Sequence, residues 1–374
     1  MTDQFYMKRA IELSKIPWGL VSPNPYVGAV IVKDDQIIAE GWHKKAGTDH
    51  AEVDAIKKAG SHAKDSTIYV TLEPCSHQGR TGPCTEAIIK SGIKRVVYAL
   101  DDANPLVAGR SDKILTSAGI KVTKNILASE AKKINEVFFY YQKNHKPFVV
   151  LKAGMSLDGK LATASKDSKW ITSSLARERT HELRAGYDAV LIGTGTLNSD
   201  NPQLTIREGR YQEKQPIRII LSGKTAALKA DAQIFNTQVA PTWLIYPEEN
   251  PPPCYEELER KGIRLIPLQA SANGKIDLEL LLIYLGKEGI QSLFLEGGPQ
   301  IHTSFLEKNL VNKLYLFLAP MLIGGKEAPG IWNGAGNDPL KSSTKLTDWT
   351  WEAIGPDMLV TAYPTKGGAE CSPD

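Results

Sequence analysis

The stretch His50-Ala51-Glu52-Val53-Asp54-Ala55-Ile56, followed downstream by Pro74-Cys75 and by Cys84, decides the fold of the first third of the chain. One imidazole and two thiolates form a ligand set for zinc, with a fourth position left for water. Glu52 lies two residues from the histidine and is predicted to carry protons rather than to bind the metal. We therefore interpret His50, Cys75 and Cys84 as zinc ligands, against the alternative of buried structural thiols.

This pattern is typical of zinc deaminases, in which water activated by the metal replaces an amino group of a pyrimidine or purine ring. A glutamate shuttles the protons in that reaction. Such enzymes usually place their two cysteines as Cys-x-x-Cys, whereas here the longer insert 76–83 separates them. The glycines of the insert permit a tight excursion, and His77 and Arg80 give it polar arms.

The composition excludes several classes of protein. With 374 residues, 42% hydrophobic and 23% charged, the chain is expected to form two domains of ordinary globular composition. A net charge of +3 is too small for a nucleic-acid footprint, which needs a dense basic stripe. The chain has no apolar run of about 18 residues, so we expect no membrane span, and the N-terminus does not resemble a signal peptide. Cys254 and Cys371 stand alone outside the zinc set, a usage typical of the cytoplasm.

Strands and helices alternate along the first part of the chain. We expect strands at 27–32, 36–42, 67–72, 95–100 and 120–122, and helices at 3–15, from His50 with Asp49 as its N-cap, from about Pro83, at 111–117 and at 129–142. This alternation predicts a three-layer α/β/α sheet. It also places metal ligands at two helix starts, where the helix dipole favours thiolate.

A second α/β unit is predicted after the polar segment 142–146, the best candidate linker. It begins with a strand at 148–152 and continues with strands at 188–193, 217–221, 242–246, 291–295 and 313–318. Glycine-rich turns at 193–196 and 296–299 follow strands, where α/β sheets hold phosphates and dinucleotides; each is alternatively an ordinary turn. We therefore expect domains at 1–146 and 147–364 and a disordered tail at 365–374.

Longer motifs carry a family resemblance. They are the segments 22–30, 41–43, 50–56 and 73–84 in the first half, and 152–160, 168–172, 193–196, 200–207 and 296–298 in the second. Together they closely resemble the bifunctional deaminase-reductases of riboflavin biosynthesis, over the whole chain to about Pro364. One departure is Asp101-Asp102-Ala103-Asn104-Pro105, where the family pattern is Asp-Pro-Asn-Pro; losing that proline loosens one turn but removes no chemical group.

The resemblance implies a cytidine-deaminase-like domain followed by a dihydrofolate-reductase-like domain, with Zn²⁺ and NADPH as cofactors. The implied substrate is 2,5-diamino-6-ribosylamino-4(3H)-pyrimidinone 5′-phosphate. Water would replace its 2-amino group, and hydride from NADPH would then convert the ribosyl group into the ribityl chain. We expect a homo-oligomer with a small-molecule substrate and with neither nucleic acid nor a membrane as partner.

Site residues follow from the resemblance by position. Glu52 and Lys152 are the expected catalytic residues, the lysine as a cation that polarises the carbonyl or imine form. The expected NADPH contacts are Gly154, Trp170, Thr196, Asp200, Ser222 and Gly298. The expected substrate contacts are Asn24, His77, Arg80, Ser168, Arg184, Leu204, Arg207 and Glu296. Two of these, Arg184 and Arg207, suit a phosphate because guanidinium binds it through a two-pronged fork.

Alternatives without a role in the reaction stay open at this point. They are a Pro-Asn-Pro turn for Asn24, a solvated loop for His77 and Arg80, a strand histidine for His43, a solvated edge for Lys44 and Lys45, a surface ion pair with Glu182 or Asp188 for Arg184, a strand-end surface position for Lys152, and core packing for Trp170. For the whole chain, one alternative is a deaminase of nucleosides or tRNA with an accessory domain. Another is a C-terminal half that only binds or dimerises.

Overall fold

Two β-sheets organise the part of the chain that the computed structural model describes, which comprises residues 1–76, 82–103, 109–209, 211–212, 214–223, 228–271, 274–334 and 336–365. The first sheet belongs to a compact unit from Met1 to His145, and the second belongs to a unit that begins at Lys146. Thr365 donates to the carbonyl of Lys345, so this residue of the predicted tail is tied to the second unit. The rest of that tail, 366–374, lies outside the described residues.

The first sheet has the strand order β2-β1-β3-β4-β5. Its strands are β1 Gly28–Lys33, β2 Gln36–Trp42, β3 Thr67–Val70, β4 Arg95–Tyr98 and β5 Lys121–Lys124. Strand β1 runs antiparallel to β2 and β3, whereas β3, β4 and β5 are parallel. The helices are α1 Asp3–Ser14, α2 Ala51–Ala59, α3 Cys84–Ser91, α4 Arg110–Ser117, α5 Ala128–Ile134 and α6 Glu136–Asn144.

Alternating residues of β1 bury the two faces of this sheet. Ala29 and Ile31 pack with α2, α3 and α4, while Val30 and Val32 pack with α1 and Ala131 of α5. The predicted three-layer α/β/α arrangement is therefore confirmed. Gly41 of β2 sets how closely α2 approaches, because a Cβ there would clash with the backbone of Ala51 and Ala55. This close approach fixes the start of α2, which carries His50.

Two helix predictions in the first unit are wrong. His50, not Asp49, is the N-cap of α2, and Asp49 instead pairs with Lys57 at 2.6 Å. The predicted helix 129–142 is two helices that part at Asn135. The side chain of Asn135 is bonded to both the N–H and the carbonyl of Tyr26, at 2.7 and 2.9 Å. The second of these helices, α6, continues to Asn144, so most of the predicted linker 142–146 is helical.

The second sheet has the order β10-β9-β8-β7-β11-β6-β12-β14-β13. Its strands are β6 Phe148–Ser156, β7 Ala189–Gly193, β8 Ile217–Leu221, β9 Thr242–Pro247, β10 Arg264–Leu268, β11 Ser292–Leu295, β12 Lys313–Ala319, β13 Leu346–Ile354 and β14 Asp357–Pro364. Pairs from β10 to β12 are parallel, and β14 is antiparallel to β12 and β13. The helices are α7 Ser174–Ala185, α8 Thr194–Asp200, α9 Tyr255–Arg260, α10 Leu278–Lys287 and α11 Pro299–Glu307.

The two faces of the second sheet differ in chemistry. One face, with Leu151, Leu191 and Leu295, packs against α10 and Phe305 of α11 in the main hydrophobic core. Residues two apart along a strand share a face, so Lys152 and Glu296 lie on the other face. There Glu296 meets Arg184 of α7. The sequence analysis did not predict β10, β13 or β14, and the other predicted strands are present with slightly shifted ends.

Candidate active sites

The three predicted metal ligands converge in the first unit. His50 caps α2, Cys75 follows β3, and Cys84 is the first residue of α3. The Nδ1 atom of His50 lies 3.2 Å from the Sγ of Cys84 and 3.5 Å from the Sγ of Cys75, and all three ligand atoms lie within 4.8 Å of one another. In a tetrahedral zinc site with bonds of about 2.0 and 2.3 Å, ligand atoms are roughly 3.6 Å apart. The residues present therefore fit a zinc ion.

The surroundings of this cluster favour the negatively charged thiolate form of Cys75. The backbone N–H of Cys84, at the start of α3, donates to the Sγ of Cys75 at 3.3 Å. The neighbouring Cys84 and the His50 imidazole lower the pKa of Cys75 to about 4. A thiolate is the form of cysteine that binds metals. The site thus presents one ligand in its charged form at neutral pH.

Glu52 is buried beside the cluster, one residue into α2. Burial raises the pKa of Glu52 to about 7, and the Cys75 thiolate adds to this effect, while His50 opposes it. A carboxyl group with a pKa near neutrality both accepts and releases a proton readily. This is the property that the predicted proton carrier needs.

Asn24 and His43 form a chain of hydrogen bonds next to His50. The Nδ1 of His43 lies 3.0 Å from the carbonyl oxygen of Asp49, and its Nε2 lies 3.0 Å from the Nδ2 of Asn24. Because a carbonyl only accepts, Nδ1 carries the proton and Nε2 accepts from the amide of Asn24. The Oδ1 of Asn24 then faces away from His43 as an acceptor. Asn24 also closes a turn, because its N–H donates to the carbonyl of Val21, so one residue makes both the turn and the bond to His43.

One buried residue near the cluster escaped the sequence analysis. The carboxylate of Glu73 accepts from the N–H groups of Asp102, Gly109 and Ser111 and from the Ser111 hydroxyl, at 2.5–3.3 Å. It thereby anchors the segment after β4 two residues from Cys75. The Glu73-Pro74-Cys75 motif was the sequence signal that could have drawn attention to Glu73. The predicted phosphate contacts His77 and Arg80 lie outside the described residues, while the exposed Lys44 pairs with Asp54 at 3.2 Å.

In the second unit, Arg184 and Glu296 form a buried ion pair. The guanidinium donates to both carboxylate oxygens, at 2.6 and 3.0 Å, and a third nitrogen donates to the carbonyl of Thr205 at 2.5 Å. The alternative of a surface ion pair for Arg184 is wrong. Its two suggested partners are engaged elsewhere, Glu182 with Arg179 and Asp188 with Lys214.

Lys152 lies in the middle of β6, so the strand-end surface alternative is wrong. Burial lowers the pKa of Lys152; the charge of Glu296 opposes this shift, and that of Arg184 adds to it. Its Nζ lies 5.6 Å from the Phe317 ring. Gly154, on the same face, is closely packed beside this amine, since a Cβ there would lie 3.2 Å from the Cγ2 of Thr172 and 3.9 Å from the Nζ.

Predicted NADPH contacts gather at the carboxyl ends of adjacent strands. The N–H of Gly298, after β11, donates to the hydroxyl of Thr196, after β7, at 2.9 Å. Ser222 follows β8 and is fully buried, and its Oγ has no partner within the described residues. Carboxyl ends of parallel strands are where α/β sheets bind dinucleotides. The close glycine backbone and the unpaired hydroxyl fit such a ligand.

The remaining predicted contacts lie on loops and helix ends. Trp170 is 68% exposed, with the Arg177 guanidinium 4.3 Å from its ring centre, so the core alternative is wrong. Asp200 ends α8 in solvent, and Ser168 is half-buried. Leu204 is buried, whereas Arg207 is exposed and forms no ion pair with a described carboxylate. Arg207 is thus the freer of the two predicted phosphate-binding arginines.

Comparison with known proteins gives consistent matches over both units. Residues 1–100 match the family model described as the cytidine and deoxycytidylate deaminase zinc-binding region, and residues 147–360 match the RibD C-terminal domain. The chain is 42% identical over 365 residues to the riboflavin biosynthesis protein RibD of Bacillus amyloliquefaciens, covering 98% of this chain and 97% of that protein. The chain belongs to the RibD family. RibD family members are deaminases and reductases of riboflavin biosynthesis, and this chain is a bifunctional enzyme of that kind.

Solved RibD structures share the fold of the whole chain. Acinetobacter baumannii RibD superposes with a TM-score of 0.86 at 37% identity, covering 97% of this chain and 99% of that one. The Thermotoga maritima diaminohydroxyphosphoribosylaminopyrimidine deaminase/5-amino-6-(5-phosphoribosylamino)uracil reductase gives 0.84 at 36% identity, with the same coverage. RibD membership overturns both whole-chain alternatives, the nucleoside or tRNA deaminase and the inactive C-terminal half. No helix in the described ranges is long and apolar enough to span a membrane.

Proposed function

We propose that residues 1–146 deaminate 2,5-diamino-6-ribosylamino-4(3H)-pyrimidinone 5′-phosphate and that residues 147–364 reduce the ribosyl group of the deaminated product. The observation that carries the first half is the His50, Cys75 and Cys84 cluster with buried Glu52 beside it. The buried Lys152, the Arg184–Glu296 pair on the same face of the sheet, and the unpaired hydroxyl of Ser222 at a strand end support the second half.

In the deaminase half, His50, Cys75 and Cys84 would hold zinc. Zinc lowers the pKa of a bound water to about 7 when it is present. Glu52 takes the two protons of the attacking water in turn and delivers one to the ring nitrogen and one to the departing 2-amino group, which leaves as ammonia. The Oδ1 of Asn24 accepts a hydrogen bond from the ring or the ribosyl part of the substrate. His77 and Arg80 are proposed phosphate contacts.

In the reductase half, NADPH would supply the hydride. We assign its binding to Gly154, Trp170, Thr196, Asp200, Ser222 and Gly298. Lys152 places its amine beside the ribosyl oxygen and in its charged form favours the ring-opened acceptor, and the charge of Glu296 opposes the lowering of the Lys152 pKa by burial. Ser168, Arg184, Leu204 and Glu296 are proposed substrate contacts, and Arg207 binds the phosphate through its fork.

The direct test is to assay the purified protein on the pyrimidinone phosphate with and without NADPH. Without NADPH we expect release of ammonia and accumulation of the deaminated phosphate. With NADPH we expect its absorbance to fall as that product is reduced. Ammonia release without any NADPH oxidation would contradict the reductase assignment, and NADPH oxidation of undeaminated substrate would contradict the order of the two reactions.

A further inference from the structure

Arg218 is a buried cation that the proposed reaction does not use. It is the second residue of β8, is fully buried, and forms no ion pair with a described carboxylate. Burial lowers the pKa of Arg218 to about 10. A buried charge without a counter-ion destabilises a fold unless hydrogen bonds compensate it. The partners of this side chain therefore indicate its role.

The partners of Arg218 are backbone carbonyls and one hydroxyl. Its guanidinium donates to the carbonyl of Gln203 at 3.2 Å, those of Asn236 and Ala240 at 2.8 and 2.6 Å, and the Oγ1 of Thr242 at 2.6 Å. One cation thus joins the segment before β8, the segment before β9, and β9 itself. The first of these segments contains the proposed substrate contacts Leu204 and Arg207.

The backbone of residues 203–207 is held at further points from outside the segment. Arg184 donates to the Thr205 carbonyl. The side chain of Gln215 bonds both the N–H and the carbonyl of Ile206, at 2.7 and 3.0 Å. Within the segment, Leu204 has a φ of 53°, in the left-handed region that a leucine adopts only when its surroundings impose it.

Arg207 takes its direction from this segment. Its guanidinium bonds to the Oε1 of Gln203 at 3.4 Å and to the Oγ1 of Thr205 at 3.2 Å. These are the two residues whose carbonyls Arg218 and Arg184 hold. A shift of the segment therefore moves the exposed fork of Arg207.

The strand register places Arg218 on the face of the sheet that carries the site. Arg218 is opposite Val190, and Val190 is opposite Phe294. Phe294 lies two residues before Glu296, so the side chains of Arg218 and Glu296 project from the same face. The segment 203–207 is thereby held on the face where Lys152 and Glu296 lie.

We propose that Arg218 is a positioning residue for the substrate phosphate, which holds segment 203–207 so that Arg207 can bind that group. The inference rests on the proposed reductase function and on the phosphate role of Arg207. It predicts that loss of the Arg218 bonds weakens recognition of the phosphate more than it slows the reduction itself.

The test measures steady-state reduction of the deaminated substrate, with and without its 5′-phosphate, by the full-length enzyme. Arg218→Gln should raise KM for the phosphorylated substrate by about tenfold or more, the effect of losing a charged hydrogen bond. The kcat should change much less, and the KM of the dephosphorylated substrate should not change. Arg218→Lys, which keeps the charge but not the fork, should restore part of the affinity. Arg264→Gln, at an exposed arginine of β10, is the matched control and should leave both KM values unaltered.

Three outcomes separate this inference from its alternatives. A lower melting temperature of Arg218→Gln with an unchanged KM would show a purely structural role and overturn it. An unchanged KM in Arg218→Gln together with a raised KM in Arg207→Ala would overturn it while the proposed function stands. An unchanged KM in Arg207→Ala would overturn the phosphate assignment itself. If Arg218→Gln does not fold, Thr242→Val removes one of the four acceptors in a folded protein and is read in the same way.

Discussion

In the first unit the proposed reacting groups come from three short motifs at two helix starts and one strand end, whereas in the second they come from several strands and a helix. His50 and Glu52 are two residues apart, and Cys75 and Cys84 are separated by one insert. Arg184 and Glu296, by contrast, are 112 residues apart and meet only because the fold brings the last turn of α7 to the end of β11. A site built from local motifs depends on a few ligands, while a site built across a sheet spreads its function over many residues.

The first prediction tests how far the metal cluster depends on single ligands. Cys75→Ser and Cys84→Ser should each lose zinc and lower deamination by more than about 100-fold. Mutation of a residue that only hydrogen-bonds to a metal ligand already lowers metal affinity by about 10–100-fold. Elemental analysis and ammonia release measure the two effects. NADPH oxidation with the deaminated phosphate serves as the control and should persist. Full zinc occupancy in both variants would refute the ligand set.

The second prediction separates the proton carrier from the ligands. Glu52→Gln should keep its zinc and slow deamination by on the order of 10²-fold or more, the usual effect of removing a general acid or base. Glu12→Gln, at an exposed glutamate of α1, is a matched control and should deaminate normally. A zinc-loaded Glu52→Gln protein with near-normal deamination would show that another group moves the proton.

The third prediction concerns which residues of the reductase site affect kcat and which affect KM. Lys152→Gln should lower kcat of NADPH oxidation by about 10²-fold, since it removes a cation placed where charge develops. Arg207→Ala should mainly raise KM, because a phosphate contact is kept from ground state to transition state. Steady-state kinetics with the deaminated phosphate distinguishes the two effects. Equal losses of kcat in both variants would contradict this division.

The smallest expected effect concerns stability at low pH. Bonds from Ser156 and from the N–H groups of Ile323 and Gly324 lower the pKa of Asp158 to about 2. A carboxyl with a depressed native pKa stabilises the fold above its unfolded pKa of about 3.9 and loses that effect as pH falls to 2. The melting temperature of Asp158→Asn should therefore lie below that of the wild type at pH 6, and the gap should close between pH 4 and 2. A gap that does not depend on pH would contradict the ionic origin.

The sequence predicted the convergence of His50, Cys75 and Cys84 because the geometry of this cluster is set locally. A histidine before one helix and a cysteine opening another come together once both helices pack on one face of the sheet, which the spacing of strands and helices already implies. The same reasoning failed for Asp49 and Asn135. Asp49 pairs with Lys57 of α2 instead of capping that helix, a choice between two local partners that the sequence does not decide. Asn135 interrupts its helix and bonds to Tyr26, a contact that follows only from tertiary packing.

The second site was less predictable because its residues depend on long-range partners. The sequence left two roles for Trp170, core packing or contact with the cofactor, and only the fold shows that its side chain is exposed. Strand β13 was missed because most of its side chains, including Trp349 and Trp351, are exposed, so its apolar residues mark no buried face. Glu73, Arg218 and Gln215 act through backbone groups of other loops, and no spacing in the sequence shows those contacts.

The most direct test of this account is to remove zinc from the intact enzyme and follow both reactions in the same sample. Chelation should abolish ammonia release from the pyrimidinone phosphate, and added zinc should restore it. NADPH oxidation with the deaminated phosphate should continue throughout, because Lys152, Arg184 and Glu296 need no metal. Loss of both activities on chelation, or loss of neither, would contradict the assignment of one zinc-dependent and one zinc-independent site.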